Sequence, residues 1–455
     1  MSRFASLLVI AVVACGPSTK GPHGGDDTVD ASTNGLPDAY LGPTGTVSGR
    51  VWMPNYGPGQ VPAGQEIPVF GAQVSLTTTK LAPIPNHVYC EQCSDTPGTT
   101  SGHDGSFTLT APPGTYILTI QKGQFRLEEN VIVSEGSLAL PAASTTLPSQ
   151  YDPDHGAWIP KVAVAVGNYD AVEDILGKIG FGTMNGADDA LVSGAGEHGS
   201  EIDLYTYGGS PSVQSLIGDI TQLRKYHVIF FPCSTEMSSL DSWLAIQANL
   251  KTLRQYVNEG GKIYVTDWSG EFGDRPFPPQ LTLGDSQDSV GTYDPKTLDG
   301  TLTTQGDSDG DLYDSEGAKA VDPDLAAWLG GQMAPDPNGS GMVSLIDPNN
   351  ITVVDNWNWI SKLTSVQVGV DSMGLPVYDD PKAWISGPRD SFTGDSTPHP
   401  LSVTYQPTGC GRVLYSTYQT SGYSSSDKHA GLTAQERVLL YLIMEIQVCN
   451  SIIVN

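Results

Sequence analysis

Three apolar runs constrain the fold of this chain more than any other feature of its sequence. They cover residues 161–166 (KVAVAV), 226–232 (YHVIFFP) and 262–266 (KIYVT), and each is nearly continuous in its hydrophobic positions. A strand with this pattern is buried on both faces, which is typical of a parallel sheet covered by helices. Helix-like segments separate the runs, and Asp170 is the expected N-cap of the first helix. The alternation predicts an open, doubly wound α/β sheet over residues 160–450.

The later part of the chain carries further signals. Residues 401–405 and 412–418 predict an antiparallel strand pair. A last helix follows, in which Thr433 and Glu436 are expected to form a capping box. The segment from about 272–350 is rich in Asp, Gly, Pro and Thr and predicts an acidic insertion.

Residues 45–148 follow a different pattern. Short alternating runs, separated by Gly and Pro, recur here at 46–53, 72–78, 106–111, 115–122 and 130–134. Strands at this spacing predict an antiparallel β-sandwich, and residues 149–159 are the expected linker. The predicted fold class is therefore multidomain, with a sandwich before an α/β domain, as the length of 455 residues allows.

The motifs of the sandwich resemble a known module, the carboxypeptidase regulatory-like domain, which has a prealbumin-like seven-stranded fold. The resemblance is carried by residues 48–51 (SGRV), 71–76 (GAQVSL), 104–109 (DGSFTL) and 113–118 (PGTYIL). It implies a module that supports or spaces a neighbouring domain and that binds carbohydrate in some relatives.

Two aromatic residues of the sandwich are candidates for sugar binding. Trp52 and Tyr56 lie on or near a predicted strand, where either ring could stack on a sugar. Packing in the core and at its rim is the alternative, and it is the one that the residue types favour.

The amino terminus has the pattern of an export signal. Residues 1–15 contain one basic residue, an apolar run and a small residue before Cys15, and the run is too short to span a bilayer. Residues 12–15 (VVAC) resemble a bacterial lipobox, which implies that Cys15 becomes the acylated first residue. Gly16 follows it, which by analogy with enterobacterial sorting implies the outer membrane. Residues 16–44 predict a disordered tether.

Charge excludes one class of partner. The chain has 22 Lys and Arg against 50 Asp and Glu, a formal net charge of −28. This charge repels phosphate backbones and anionic lipid headgroups. We therefore expect no nucleic-acid binding, and contact with a membrane only through the lipid.

Five cysteines follow the signal, and an exported protein is expected to use them in disulfides. Cys410 and Cys449 are expected to pair, because the last helix would return to the start of the preceding strand. Cys90 and Cys93 are expected to form a local disulfide, with half of a zinc site as the less favoured alternative. Cys233 is then left without a partner.

The order of elements in residues 160–450 resembles the class I glutamine amidotransferase-like fold, a flavodoxin-like architecture, including its trehalose-utilisation branch. The segment 256–265 (YVNEGGKIYV) carries most of the resemblance. In catalytic relatives it leads into an elbow, G-x-C-x-G, that bears a nucleophilic Cys. Here the matching residues are TDWSG, so Trp268 stands at that position, and Gln419 replaces the expected His. The resemblance implies a degenerate pocket around Asp267, Trp268 and Gln419, and a pseudo-enzyme.

A rival chemistry starts from Cys233. This residue follows an apolar strand, and ligands gather at the carboxyl ends of strands in open α/β sheets. The candidate acids and bases from neighbouring loops are Asp267, Glu236, Glu271 and His399. A small buried apolar thiol is the favoured alternative, because no local motif places a His beside Cys233.

Two further groups are candidates for ligand contact. Alternate carboxylates in an acidic loop suggest a structural calcium site, against a solvated acidic turn, at Asp307, Asp309, Asp311 and Asp314. No other cofactor is expected. Three tryptophans could line a groove or belong to the core: Trp357, Trp359 and Trp384.

The sequence therefore predicts a lipid-anchored, extracytoplasmic protein of the outer membrane that binds or scaffolds and is not an enzyme. Its partner would be a carbohydrate or a protein. The alternatives are a carbohydrate-binding surface protein and a thiol hydrolase or amidase that uses Cys233.

Overall fold

The computed structural model describes most of the chain, and from Gly42 onward the chain forms one compact unit. The described residues are 42–91, 96–186, 190–193, 202–234, 242–278, 280–284, 290–304, 312–335, 342–344, 346–370, 373–389, 394–419 and 431–446. Most of the regular structure is β-sheet, distributed over several sheets. The prediction of a β-rich fold with several sheets is therefore confirmed. The predicted signal and Cys15 lie outside the described residues.

The amino-terminal region contains two sheets that share a core. Its strands are β1 Gly45–Arg50, β2 Gln73–Thr77, β3 Gly98–Thr100, β4 Ser106–Ala111, β5 Gly114–Lys122, β6 Phe125–Val133, β7 Gly136–Ala139 and β8 Ala157–Trp158. One sheet has the order β4-β1-β7 and the other the order β3-β2-β5-β6-β8. Val47, Ala111 and Val133 pack together between them. All five predicted strands are present, but the β1–β7 pair is parallel.

The segment predicted as a linker, 149–159, contributes β8 to this region. Leu127 and Arg126 of β6 pair with β8 in antiparallel register. The linker residues therefore complete the edge of the larger sheet.

The carboxyl-terminal region contains the remaining strands and the helices. The strands are β9 Val162–Ala165, β10 Thr183–Asn185, β11 Ala190–Ser193, β12 Ile202–Tyr205, β13 Val228–Phe231, β14 Lys262–Thr266, β15 Leu281–Leu283, β16 Val290–Tyr293, β17 Gly300–Thr304, β18 Tyr313–Ala320, β19 Met333–Pro335, β20 Met342–Ser344, β21 Ile351–Asn356, β22 Ile360–Leu363, β23 Val366–Val370, β24 Pro376–Asp379, β25 Lys382–Arg389, β26 Asp395–Tyr405 and β27 Arg412–Ser416. The helices are α1 Val172–Lys178, α2 Val213–Ile217, α3 Ile220–Leu223, α4 Gln247–Asn258, α5 Glu271–Asp274, α6 Pro323–Gly330 and α7 Ala434–Ile446. Within the described residues no helix is long and apolar enough to cross a bilayer.

A nine-stranded sheet forms the centre of this region, with the order β12-β9-β13-β14-β27-β26-β25-β18-β21. The first five strands are parallel to one another, and the last four join in antiparallel pairs. The three apolar runs form β9, β13 and β14, in which every residue is buried. The predicted insertion, 272–350, contributes β18 to the sheet, so it is part of the central structure rather than an addition to it.

The two predicted helix caps have different outcomes. At α7, Thr433 N donates to Glu436 Oε2 over 2.6 Å and Glu436 N to Thr433 Oγ1 over 3.2 Å, so this capping box is confirmed. At α1 the N-cap is Ala171, with no side-chain cap. Asp170 is buried, and its Oδ2 accepts a 2.7 Å hydrogen bond from Thr266 Oγ1. The Asp170 carboxylate, predicted to cap α1, therefore forms a tertiary hydrogen bond with Thr266 instead.

The disulfide in the described part of the chain joins Cys90 to Cys410, with their Cα atoms 5.5 Å apart. Both predicted pairings are wrong, because each of them contained one of these two residues. Cys93 and Cys449, the other members of those pairs, lie outside the described residues. The sequence signals used for the pairings are local, whereas this bridge spans 320 positions.

Close packing between the two regions explains the bridge. At Gly260, where φ is +104°, an added Cβ would lie 2.1 Å from the carbonyl oxygen of Tyr89. The missing side chain therefore lets the loop that carries Cys90 approach the start of β27. A second contact joins the regions elsewhere, where Trp328 Nε1 donates to Pro68 O over 2.8 Å. The amino-terminal region is thus fastened to the central sheet.

Candidate functional site

A sharp bend follows β14 at the carboxyl end of the parallel strands. The strand ends at Thr266, and a 3-10 turn, Asp267–Gly270, leads directly into α5. Asp267 has φ +47°, a left-handed conformation that non-glycine residues rarely adopt and that Asp tolerates better than most. The sequence comparison predicts the bend at Trp268. The structure has it one residue earlier, at Asp267.

The side chain of Asp267 meets two of the other residues that the sequence singles out. Its Oδ2 lies 3.6 Å from Cys233 Sγ and 3.5 Å from Gln419 Nε2, and Gln419 Nε2 is 3.7 Å from the same sulfur. Its Oδ1 accepts a 2.9 Å hydrogen bond from the backbone N–H of Trp357. The ends of β13, β14 and β27 therefore converge on one carboxyl group.

These groups are buried. Asp267 and Cys233 are 0% exposed and Gln419 is 4% exposed. Burial raises the pKa of Asp267 well above its usual range, and the N–H of Trp357 only partly opposes that shift. The pKa of Cys233 is raised by its own burial and then by the charge of Asp267. Both effects disfavour the thiolate, which is the reactive form of cysteine.

Hydrogen bonds fix the surroundings of the bend. Thr266 Oγ1 accepts from Cys233 N over 2.9 Å and donates to Asp170 Oδ2 over 2.7 Å. Ser269 Oγ donates to Pro232 O over 2.7 Å. Side-chain hydrogen bonds thereby connect the strand ends to one another. Sequence reasoning missed the part of Asp170, because its position also fits a helix cap.

Aromatic rings lie beside the bend. The Trp268 ring is half-buried, with the centroid of Trp357 at 5.1 Å and that of Tyr169 at 6.2 Å. Trp268 therefore packs against neighbours next to Asp267 instead of forming the bend itself.

The other candidate acids and bases have different partners. Glu271 is buried and forms an ion pair with Arg275. His399 Nε2 lies 2.9 Å from Asp395 Oδ2, and its ring packs on Trp359 with centroids 4.9 Å apart. Glu236 lies outside the described residues. Among the described candidates, Asp267 is thus the one whose side chain contacts Cys233.

The predicted calcium loop is described only in part. Three of its carboxylates lie outside the described residues: Asp307, Asp309 and Asp311. Asp314 lies on β18, where its Oδ1 accepts a 3.1 Å hydrogen bond from Asp355 N. The described residues contain no group of three or more His, Cys, Asp or Glu that could hold a metal ion. The calcium site remains a prediction.

The aromatic candidates divide into core and surface. Tyr56 and Trp384 are buried, and Trp384 Nε1 donates to Thr404 Oγ1 over 2.9 Å. The Arg389 guanidinium lies over the Trp359 ring, with its Cζ atom 4.1 Å from the ring centroid. Trp52 is half-buried and lines a cavity of about 410 Å³ on the smaller amino-terminal sheet.

No family model matches this sequence, and no curated protein matches it. Among solved structures, it is similar to Gan42B, a GH42 β-galactosidase, at 10% identity and a TM-score of 0.25, over 66% of this chain and 32% of that one. It is also similar to the cytoplasmic protein STM3548 from Salmonella typhimurium, at 10% identity and a TM-score of 0.29, over 63% of this chain and 98% of that one. The chain thus spans about a third of the galactosidase. At these scores neither likeness carries an argument.

Proposed function

We propose that this protein is a lipid-anchored, extracytoplasmic binding or scaffold protein, and that its carboxyl-terminal region is a non-catalytic α/β domain of the amidotransferase-like type. One observation carries the proposal. The residue at the bend after β14 is Asp267, which is fully buried and hydrogen-bonded to protein groups.

Thiol catalysis requires a thiolate that a substrate can reach and a base that accepts its proton. The surroundings of Cys233 disfavour both, because the thiol is buried and the carboxyl group that it contacts, Asp267, is also buried and has a raised pKa. Its sulfur is buried next to a carboxyl group, and both features raise the pKa of the thiol. Gln419 offers an amide, which has no basic character near neutral pH. These contacts support a structural part for Cys233.

The arrangement of the two regions supports a spacer and a displayed domain. The parallel half of the central sheet supports a doubly wound, amidotransferase-like origin for the carboxyl-terminal region. The strand order of the amino-terminal region is compatible with a prealbumin-like module that carries the larger domain. The lipobox-like residues 12–15 support anchoring through Cys15 in the outer membrane.

The accessibility of the Cys233 thiol tests the non-catalytic proposal. The intact protein is treated with a thiol-reactive amide-type probe, and peptide mass spectrometry follows the Cys233 peptide. We expect no labelling in the native state and full labelling after denaturation. Rapid native labelling at Cys233, together with amide hydrolysis that Cys233→Ser abolishes, would overturn the proposal in favour of a hydrolase.

Metabolic labelling with palmitate tests the anchor separately. We expect incorporation into the wild type and none into Cys15→Ser, which should also leave the membrane fraction. Equal incorporation into both variants would contradict the anchor without affecting the argument about Cys233.

Carbohydrate binding is the second candidate, and the cavity beside Trp52 is the observation that favours it. Arg50 and Thr145 line the same cavity, so it combines one aromatic ring with polar side chains. A glycan array should show binding that Trp52→Ala removes and that Trp357→Ala keeps. The reverse pattern would assign the binding to the aromatic rings beside Asp267, and a blank array for the wild type would dismiss this candidate.

A further inference from the structure

A cleft of about 810 Å³ lies beside the edge strand of the central sheet, away from the bend at Asp267. Lys161 and Tyr226 stand just before β9 and β13, and Asp203 and Tyr205 lie on β12. The cleft therefore runs along the edge strand β12, from the amino-terminal ends of β9 and β13 to the last residue of β12. Its volume is within the range of small-molecule sites.

The floor of the cleft is buried and its rim is exposed. Asp203, Tyr205 and Tyr226 form the floor and are 8%, 5% and 1% exposed. Exposed rim residues come from the loop and helices after β12: Ser210, Ser215 and Lys225. A ligand could thus reach buried polar groups from solvent.

The hydrogen bonds of the floor have a defined direction. Tyr226 donates its single hydroxyl proton to Asp203 Oδ2 over 2.8 Å, because a carboxylate only accepts. The 2.8 Å contact between the two phenols must then be a donation from Tyr205 to Tyr226. Tyr205 has used its proton, and its oxygen retains only acceptor capacity. The floor therefore favours a ligand with O–H or N–H donors.

Two lysines, Lys161 and Lys225, line the cleft together with two aspartates, Asp203 and Asp219. The Lys161 ammonium lies 5.7 Å from the centroid of the Tyr226 ring, and it has no ion-pair partner among the described residues. Other lysines of low exposure are paired, such as Lys178 with Glu436 at 3.2 Å. In a chain of net charge −28, an unpaired, half-buried ammonium in a cleft favours a carboxylate ligand.

We propose that this cleft binds a small carboxylic acid that carries O–H or N–H donors near its carboxylate. The carboxylate pairs with Lys161, and the donors bond to the phenol oxygen of Tyr205 and to Asp203. A sugar acid and an amino acid both have this chemistry. The site goes beyond the proposed function, because it involves neither the bend at Asp267 nor the lipid.

Calorimetry on the intact, detergent-solubilised protein tests this site with three probes: D-galacturonate, D-galactose and L-alanine. Galacturonate and galactose share a ring and differ in the carboxylate, so we expect galactose to bind at least about tenfold more weakly than the acid. Binding of galacturonate alone would indicate hydroxyl donors, and binding of L-alanine alone an ammonium donor.

Variants locate the binding. Lys161→Gln should weaken the acid about tenfold or more, and Tyr205→Phe about fivefold, because each removes one polar partner. Two matched controls should leave the affinity unchanged. Lys251→Gln removes an exposed lysine paired with Asp299, and Tyr116→Phe removes a phenol that donates to Pro112 O.

Three results would overturn the proposal. The first is that neither acid binds with a dissociation constant below about 10 mM. The second is that galactose and galacturonate bind with equal affinity. The third is that Lys161→Gln binds the acid as tightly as the wild type does. None of them bears on Cys233 labelling or palmitate incorporation, so failure here is distinguishable from failure of the proposed function.

Discussion

The bend at Asp267 and the cleft beside the edge strand β12 differ in how their polar groups are used. At the bend, Asp267 is hydrogen-bonded to protein groups, and the carboxyl group, Cys233 and Gln419 fill the space between the strand ends. Beside the edge strand β12, Tyr205 and Lys161 face a cleft with unused acceptor capacity and an unpaired charge. The polar groups at the bend belong to the core, whereas those of the cleft have the features of a binding site.

This difference bears on a general rule. In open α/β sheets, ligands bind at the carboxyl ends of the strands, and sequence reasoning directs attention there. Here the described side chains at the position that the rule favours, Asp267, Cys233 and Gln419, are buried and contact one another. A fold-level rule locates the place to look, and the burial of individual groups decides whether a ligand can bind.

The largest effect should come from the covalent link between the regions. Replacing Cys90 and Cys410 together by Ser should lower the free energy of unfolding by about 2–5 kcal/mol, because the bridge closes a very long loop of the unfolded chain. Urea unfolding measures the change. The cleft should lose affinity as well, while Cys233 stays protected from thiol reagents.

Cys233→Ala is the matched control for the loss of a cysteine without the loss of a bridge. If the double variant is as stable as the wild type, the disulfide adds nothing, and the link between the regions must depend on packing alone.

The next effect concerns the bend. Asp267→Ala should cost about 2–4 kcal/mol, because it leaves the N–H of Trp357 without a partner and places alanine in a left-handed conformation. Asp267→Asn keeps an acceptor and tolerates the same φ, so it should cost much less. Equal losses from both variants in chemical unfolding would contradict this account of the bend.

The pH dependence of stability tests whether Asp267 is buried as the structure describes. The pKa of Asp267 is raised in the folded protein, so its stabilising contribution is complete below the unfolded pKa and declines as the pH rises toward the folded value. Unfolding free energies measured from acid to neutral pH should therefore decline relative to Asp267→Asn, by at most about 1.4 kcal/mol per pH unit.

Asp395 provides a control of opposite sign. Its hydrogen bond to His399 lowers the pKa of its carboxyl to about 2, so its contribution is present above the unfolded value and is lost as the pH falls toward 2. Parallel pH curves for Asp267→Asn and the wild type would show that Asp267 does not titrate differently on folding.

Local patterns predicted the framework of the molecule well. β14 has the predicted bounds, and the Thr433–Glu436 capping box is present, because continuous apolar runs and cap spacings are properties of a few adjacent residues. The role of β18 was missed, since its acidic, turn-rich surroundings hide a strand that only the sheet stabilises.

The sequence predicted which residues form the candidate site, but it did not predict their burial. Asp267, Cys233 and Gln419 each follow a strand that the sequence reveals, so their convergence follows from the order of the strands. Their burial does not, because it depends on groups distant in sequence such as Trp357. No feature of the sequence predicted the cleft, because the two residues that precede β9 and β13 there, Lys161 and Tyr226, look like ordinary ends of apolar strands.

The smallest expected change in stability distinguishes a binding residue from a structural one. Lys161→Gln breaks no ion pair of the described residues, so the free energy of unfolding should shift by less than about 0.5 kcal/mol while the affinity for the acid falls. Lys178→Gln, by contrast, removes the cation that is paired with the buried Glu436 carboxylate and should destabilise the protein strongly. If Lys161→Gln destabilised the protein as Lys178→Gln does, Lys161 would be a structural residue, and the cleft would be like the bend at Asp267 in using its polar groups for the core.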